Sequence, residues 1–183
     1  MEVLRIEPLL EAIGARAPAP GGGSTAALVG AMAAALCTKT ARFANDDGAV
    51  AQALVLEDRL LKLAPEDAEV FDVALRTLDE PRDPDPDRRD WQLGRTLAAA
   101  ADVPLRIAEA SADVALLAAD LAERGKPDLQ PDAAAAALLA QAVTRIASHL
   151  VTVNLGTTEH DERVQRAART VEVARSAAAR TGA

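Results

Sequence analysis

The chain has 183 residues, half of them apolar and only 2% aromatic, and its 28 acidic and 20 basic side chains give a net charge of −8. This length is sufficient for one domain with a substantial core. An acidic balance without a basic stripe argues against nucleic acid or an anionic membrane as the main partner. The single cysteine excludes an internal disulfide, and no cysteine or histidine group has zinc-ligand spacing, so we expect no metal site.

The first residues, Met1–Arg5, alternate charged with apolar side chains and lack the pattern of a signal peptide. The longest uncharged apolar run, Ala26–Cys37, is too short to cross a bilayer. We therefore expect a cytoplasmic protein that has no membrane partner.

Alanine and leucine, both strong helix formers, supply most of the apolar content, and no segment alternates in the way typical of a strand. The sequence predicts an all-α fold, an up-and-down antiparallel bundle in which residues 1–183 form a single domain. About six helices are expected, over residues 3–13, 24–44, 49–78, 91–124, 128–155 and 159–179. Pro65 and Pro104 fall inside the third and fourth helices, where a lost backbone hydrogen bond predicts a kink.

Two apolar stripes at helical spacing are predicted to face the core. Asp128 is the expected N-cap of the fifth helix and Gly156 its end. The stripe of the fifth helix comprises Leu139, Val143, Ile146, Leu150 and Val153, and that of the sixth comprises Val164, Ala167, Val171, Ala174 and Ala178.

Pro20 is followed by three glycines and Ser24 directly before the second helix. Ser24 is a suitable N-cap, and the glycines would let a ligand approach the first backbone N–H groups. The positive end of the helix dipole favours an anion at that point. The alternative is an ordinary capped helix after a flexible turn.

The third helix carries a carboxylate where its apolar stripe calls for leucine. The stripe runs through Leu56, Leu60, Leu63, Asp67, Val70, Phe71, Ala74 and Leu78. Burial would raise the pKa of Asp67, which suits a general acid or base near neutral pH. The alternative is a solvated aspartate in the first turn of a helix that restarts after Pro65.

Three other reactive side chains are expected to have ordinary roles. We predict that Cys37 and His149 are packing residues and that His160 is exposed. The sequence contains no Ser-His-Asp order, no phosphate-binding glycine-lysine loop and no dinucleotide fingerprint after a strand.

Several segments, in this order, resemble the formiminotetrahydrofolate cyclodeaminase and methenyltetrahydrofolate cyclohydrolase family. They are Ala17–Ala27 with the glycine run, Asp67–Phe71, Pro81-Arg82, Val103–Leu105 with Ala108-Glu109, Asp128-Leu129 and Val153–Leu155. The resemblance covers nearly the whole chain. The chain departs from the family pattern at Pro65, where a second acidic residue is frequent, and at Leu150, where a second asparagine is frequent.

The resemblance implies a helical bundle that forms a homodimer or a larger homo-oligomer, with a tetrahydrofolate derivative as substrate and no tightly bound cofactor. It implies that Asp67 acts in the chemistry as a proton shuttle. The residues implied to bind the folate are Pro20, Gly21, Gly22, Gly23, Ser24, Arg82 and Asn154. Lys39 is a further candidate, with Arg82, for the glutamate tail.

Two functions remain open from the sequence. One is a folate one-carbon enzyme, either a cyclohydrolase or a cyclodeaminase, and the absence of an attached formiminotransferase segment in this sequence favours the cyclohydrolase. The other is a non-catalytic bundle that keeps the family fold for folate binding or for assembly.

Overall fold

The computed structural model of the chain describes residues 6–79, 85–156 and 161–182. Within these ranges it has seven α-helices and a short 3-10 helix, Pro127–Leu129, and no strand. The α-helices are α1 (Glu7–Gly14), α2 (Gly22–Ala44), α3 (Asp47–Asp79), α4 (Pro86–Ala100), α5 (Asp102–Arg124), α6 (Gln130–Leu155) and α7 (Glu162–Arg180). The predicted all-α fold is confirmed, and the additional helix arises because the fourth predicted helix is divided into α4 and α5.

Helix α2 lies at the centre of the bundle and is buried along most of its length. Its Gly23 faces Asp67 and its Gly30 faces Leu60, so α3 runs antiparallel to it. A Cβ atom at Gly30 would lie 3.1 Å from the Ser111 hydroxyl oxygen of α5. Glycine at this position therefore lets three helices approach closely.

Cys37 is fully buried in α2, and burial raises the pKa of its thiol to about 12. Its sulfur lies 4.0 Å from the carbonyl oxygen of Val114 in α5. The thiolate is the reactive form of cysteine, and this pKa keeps the group protonated at neutral pH. The predicted packing role is confirmed.

Helix α3 continues through Pro65 without a break. The alternative in which a helix restarts after this proline is therefore wrong. Beyond Asp67 the helix extends past the beginning of α2, and there α4 packs against it. We call this pair of segments, residues 68–79 of α3 and 86–100 of α4, the arm.

The break between α4 and α5 falls at Ala101, three residues before Pro104. Pro104 has no N–H to donate to the carbonyl oxygen of Ala100, four residues earlier. The side-chain amide of Asn154 donates to that oxygen instead, at 2.8 Å. Arg163 of α7 reaches the same last turn of α4, donating to the carbonyl oxygen of Ala98 at 2.6 Å.

The ends of the last two helices differ in detail from the predictions. Asp128 lies in the 3-10 turn and does not cap α6, whose N-cap is Leu129 without a side-chain hydrogen bond. Gly156 ends α6 with a φ of 62°, as expected for a glycine. Asp161 caps α7 by accepting the N–H of Arg163 at 2.8 Å, and this arginine lowers the pKa of the aspartate to about 2.

The two predicted stripes have different outcomes. On α7, Ala167, Ala174 and Ala178 are buried, which confirms the predicted inner face. Of the stripe predicted for α6 only Val143 is buried, and the prediction is wrong for the exposed side chains Leu139, Ile146 and Val153. Phe71 on α3 is also exposed rather than in the core.

Among the described residues, two segments are long and apolar enough, by length and composition, to cross a membrane. They are Gly22–Ala44 and Pro127–Leu155, of whose apolar windows 61% and 39% are buried. A buried core helix passes the same test of length and composition, and most of the α2 window is buried inside the bundle. The lower burial of α6 corresponds to its exposed apolar stripe.

Candidate active site

Asp67 of α3 lies directly against the first turn of α2. Its Oδ2 accepts a hydrogen bond from the Ser24 hydroxyl at 3.0 Å, and the backbone N–H of Ser24 also donates to the carboxylate. A Cβ atom at Gly23 would lie 2.5 Å from the Asp67 Cγ, so only glycine leaves room for the carboxylate here. The third glycine of the run is therefore in contact with the carboxylate that stands in place of leucine in the α3 stripe.

Burial raises the pKa of Asp67 above its ordinary value, and the two hydrogen bonds from Ser24 partly oppose that effect. A half-buried carboxyl group with a raised pKa can exchange a proton nearer to neutral pH than an exposed one can. The sequence prediction that Asp67 lies on the inward seam of α3 is confirmed.

Ser24 does not have the role predicted for it. Helix α2 begins at Gly22, with Gly21 as its N-cap and no side-chain cap. Ser24 is therefore inside the first turn, and its hydroxyl donates to Asp67 rather than accepting from the backbone. The side chain that satisfies an N–H of this helix end is the carboxylate of α3.

A cavity of about 410 Å³ lies beside the glycine run, between α1, α2 and α6. Pro20, Gly21 and Gly22 line it, together with apolar side chains such as Ile13 and Ile146. Asp67 is not part of this lining. The cavity and the carboxylate lie on different faces of the same helix end.

A model of the formiminotransferase-cyclodeaminase family matches residues 5–173 of this sequence. The chain belongs to this family. The match confirms the resemblance carried by the glycine run and the segments that follow it.

Two proteins with assigned names are similar to the chain over most of its length. The methenyltetrahydrofolate cyclohydrolase of Methylorubrum extorquens is 32% identical over 162 residues, which cover 81% of this chain and 78% of that protein. The crystal structure of formiminotetrahydrofolate cyclodeaminase from Thermotoga maritima superposes with a TM-score of 0.86 at 25% identity. That superposition covers 98% of this chain and 94% of the other.

The other residues expected to bind folate are not all at this helix end. Lys39 lies sixteen residues beyond Gly23, about 24 Å along α2, and pairs with Asp132 at 2.6 Å. The structure therefore separates it from the glycine run. The amide nitrogen of Asn154 is bonded to the backbone of α4, and Arg82 lies outside the described residues.

One of the two histidines is among the described residues, and it is outside the candidate site. His149 is exposed on α6, so its predicted packing role is wrong, and His160 lies outside the described residues. In the portions of the chain that the structure describes, no group of three histidine, cysteine or acidic side chains could hold a metal ion.

Two features close to Asp67 were missed from the sequence. Glu66, the next residue, forms an ion pair with Arg106 of α5. One turn after Asp67 begins a groove between α3 and α4 that contains Trp91 and Arg95. The spacing of four residues between an aromatic and a cationic side chain was the available signal for the second feature.

Proposed function

We propose that the protein is a folate one-carbon enzyme, a methenyltetrahydrofolate cyclohydrolase in which Asp67 is the general acid and base. One observation supports this more than any other: a carboxyl group of raised pKa is held by Ser24 against Gly23, at a helix N-terminus. The curated relative that is 32% identical carries the name of this activity.

The proposed reaction needs one group that accepts a proton and returns it. Water attacks the electrophilic carbon that bridges two nitrogens of the substrate, and the Asp67 carboxylate accepts a proton from that water. The protonated carboxyl group then donates to one bridging nitrogen as its bond to carbon breaks. The product is a formyl group on the other nitrogen. The remaining proton of the attacking water leaves to solvent as the formyl carbonyl forms, and Asp67 is again a carboxylate.

The start of α2 provides the groups that would hold the substrate. The first-turn N–H groups of Gly22 and Gly23 have no acceptor within their own helix, and they can donate to a carbonyl or anionic oxygen. The apolar cavity beside Gly21 and Gly22 would accept part of the ring system. In this proposal, the substrate spans the helix end from that cavity to Asp67.

Cyclodeamination is the second candidate, because the superposed Thermotoga maritima protein is a formiminotetrahydrofolate cyclodeaminase. In that reaction, ring closure on the formimino carbon expels ammonia, and Asp67 would supply the proton that the leaving nitrogen needs. A third possibility is that Asp67 only caps α2, since its carboxylate already accepts the Ser24 N–H.

Loss of methenyltetrahydrofolate absorbance after addition of the purified protein tests the first candidate, and release of ammonia from formiminotetrahydrofolate tests the second. We expect Asp67→Asn to reduce the hydrolytic rate at least about a hundredfold, the usual range for general acid–base groups. The matched control is Asp58→Asn, on the exposed face of α3, which should retain the wild-type rate. Equal rates for Asp67→Asn and wild type would remove Asp67 from the chemistry.

We also propose that a second copy of the chain covers the exposed apolar face of α2 and α6. The Lys39–Asp132 pair sets the register of these antiparallel helices, so Met32, seven residues before the lysine, lies level with Leu139, seven after the aspartate. Met32 is 51% exposed, and Ile146 and Val153 farther along α6 are 46% and 55% exposed. A contiguous apolar face of this kind is typical of an interaction surface.

A further inference from the structure

The arm contains a cavity of about 680 Å³ between α3 and α4, which we call the arm groove. It is lined by Val70, Val73, Thr77, Trp91, Arg95 and Thr96 among others. Its size is within the range of sites that bind small molecules.

The arm groove combines a flat aromatic surface with a cation. The guanidinium carbon of Arg95 lies 4.8 Å from the centre of the Trp91 ring, and the indole is 61% exposed. Within the described ranges, Arg95 has no carboxylate partner in an ion pair. An exposed indole stacks on aromatic rings, and an arginine fork pairs with carboxylates, so the two together suit an aromatic acid.

One end of the arm groove lies close to Asp67. Val70 is one helical turn beyond Asp67 on α3, and Thr77 is about 10 Å farther along the helix. The acidic side chain in the lining, Glu69, is two residues from Asp67, so it lies at the end of the groove nearest the site. An anion would be favoured beside Arg95 and disfavoured beside Glu69.

We propose that the arm groove binds the aminobenzoyl-glutamate half of the folate, with Trp91 against the aryl ring and Arg95 paired with a glutamate carboxylate. This inference rests on the proposed function, because it takes the reacting half of the same molecule to lie at Asp67. A tetrahydrofolate carries its one-carbon unit at the junction of the ring system and the aminobenzoyl group. The groove begins one turn from Asp67 on α3, so a molecule that reacts at Asp67 can extend into it.

Calorimetric titration with p-aminobenzoyl-glutamate measures binding to the arm groove without requiring turnover. We expect Arg95→Gln and Trp91→Leu each to weaken binding at least tenfold and Arg95→Lys to restore part of the loss. The matched control is Arg88→Gln, an exposed arginine of the same helix that should bind as wild type does. The diamide of the ligand, which lacks carboxylates, should bind weakly and equally to wild type and Arg95→Gln.

The kinetic expectation is that Arg95→Gln raises KM for methenyltetrahydrofolate at least tenfold and leaves kcat unchanged. If Arg95→Gln has the same affinity and KM as an active wild type, the proposed binding in the arm groove is refuted and the proposed function is unaffected. Loss of fragment binding in Arg95→Gln, with no turnover by any form, would support the groove and refute the enzyme. Failure of p-aminobenzoyl-glutamate to bind wild type at millimolar concentration would also refute the proposed binding in the arm groove. Circular dichroism melting of each variant identifies any that fails to fold.

Discussion

The contact between Gly23 and Asp67 is where a single methyl group would have its largest effect. In Gly23→Ala the new Cβ would overlap the carboxylate, 2.5 Å from its Cγ, and push it away from Ser24. Overpacking of this kind costs about 1–3 kcal/mol. We expect urea unfolding to show a loss in that range, together with loss of the activity attributed to Asp67.

Gly22→Ala is the matched control for stability, because a Cβ at Gly22 would meet no atom within 4 Å. Alanine also favours a helix by up to about 1 kcal/mol relative to glycine. Gly22→Ala should therefore be at least as stable as wild type. If both alanine variants unfold at the same urea concentration, the carboxylate does not require the space that glycine leaves.

The raised pKa of Asp67 predicts a pH dependence of stability. Because burial favours the protonated carboxyl group in the folded chain, this residue contributes stability below the unfolded pKa, about 3.9, and that contribution is lost as pH rises through the higher folded pKa. The free energy of unfolding of wild type minus that of Asp67→Asn should therefore decrease between pH 4 and pH 7. Urea titrations of both proteins at each pH give this difference, and an increase with pH would contradict the assigned direction.

The break between α4 and α5 gives a prediction about how two elements are joined. Asn154→Ala removes the donor that reaches the Ala100 carbonyl oxygen, and an unsatisfied buried acceptor costs about 1–3 kcal/mol. Pro104→Ala restores a backbone N–H four residues after Ala100, so the loss should be smaller when both residues are changed. A double-mutant cycle in urea measures this coupling. Additive losses would show that Asn154 does not compensate for the proline.

Helices α2 and α3 show which features of the site could be predicted from the sequence. The carboxylate in the stripe of α3 was identifiable from spacing alone, because Leu60 and Leu63 before it define an inward face. Its partner was not identifiable, since contact with Gly23 depends on the register between α2 and α3. The predicted cap role of Ser24 failed for the same reason: a serine after three glycines is a good cap locally, but the carboxylate of another helix takes the N–H and the hydroxyl.

Periodicity also could not distinguish an apolar face that packs in the core from an apolar face that is exposed. The stripe of α6 has regular helical spacing, yet Leu139, Ile146 and Val153 are exposed in the single chain. Spacing reports that one side of a helix is apolar, and it does not report what that side contacts. The corresponding stripe of α7 was predicted correctly because Ala167 and Ala174 pack inside the same bundle.

At the scale of the whole molecule, the exposed face of α2 and α6 makes the proposed second copy testable. If two chains pair across this face, each apolar side chain meets the same surface on its partner, as in a two-fold interface. Leu139→Lys would then introduce a charge into a buried interface in both copies at once, and such a charge is costly without a partner. Light scattering after size exclusion should give twice the chain mass for wild type and the single-chain mass for Leu139→Lys.

The matched control is Leu116→Lys on α5, because Leu116 is 38% exposed and Leu139 is 37% exposed, and Leu116 is not on the α2–α6 face. This variant should keep the mass of wild type. A wild type that is monomeric at micromolar concentration would refute the proposed pairing. Equal dissociation by both lysines would place the contact elsewhere, whereas dissociation by Leu139→Lys alone would identify α6 as part of it.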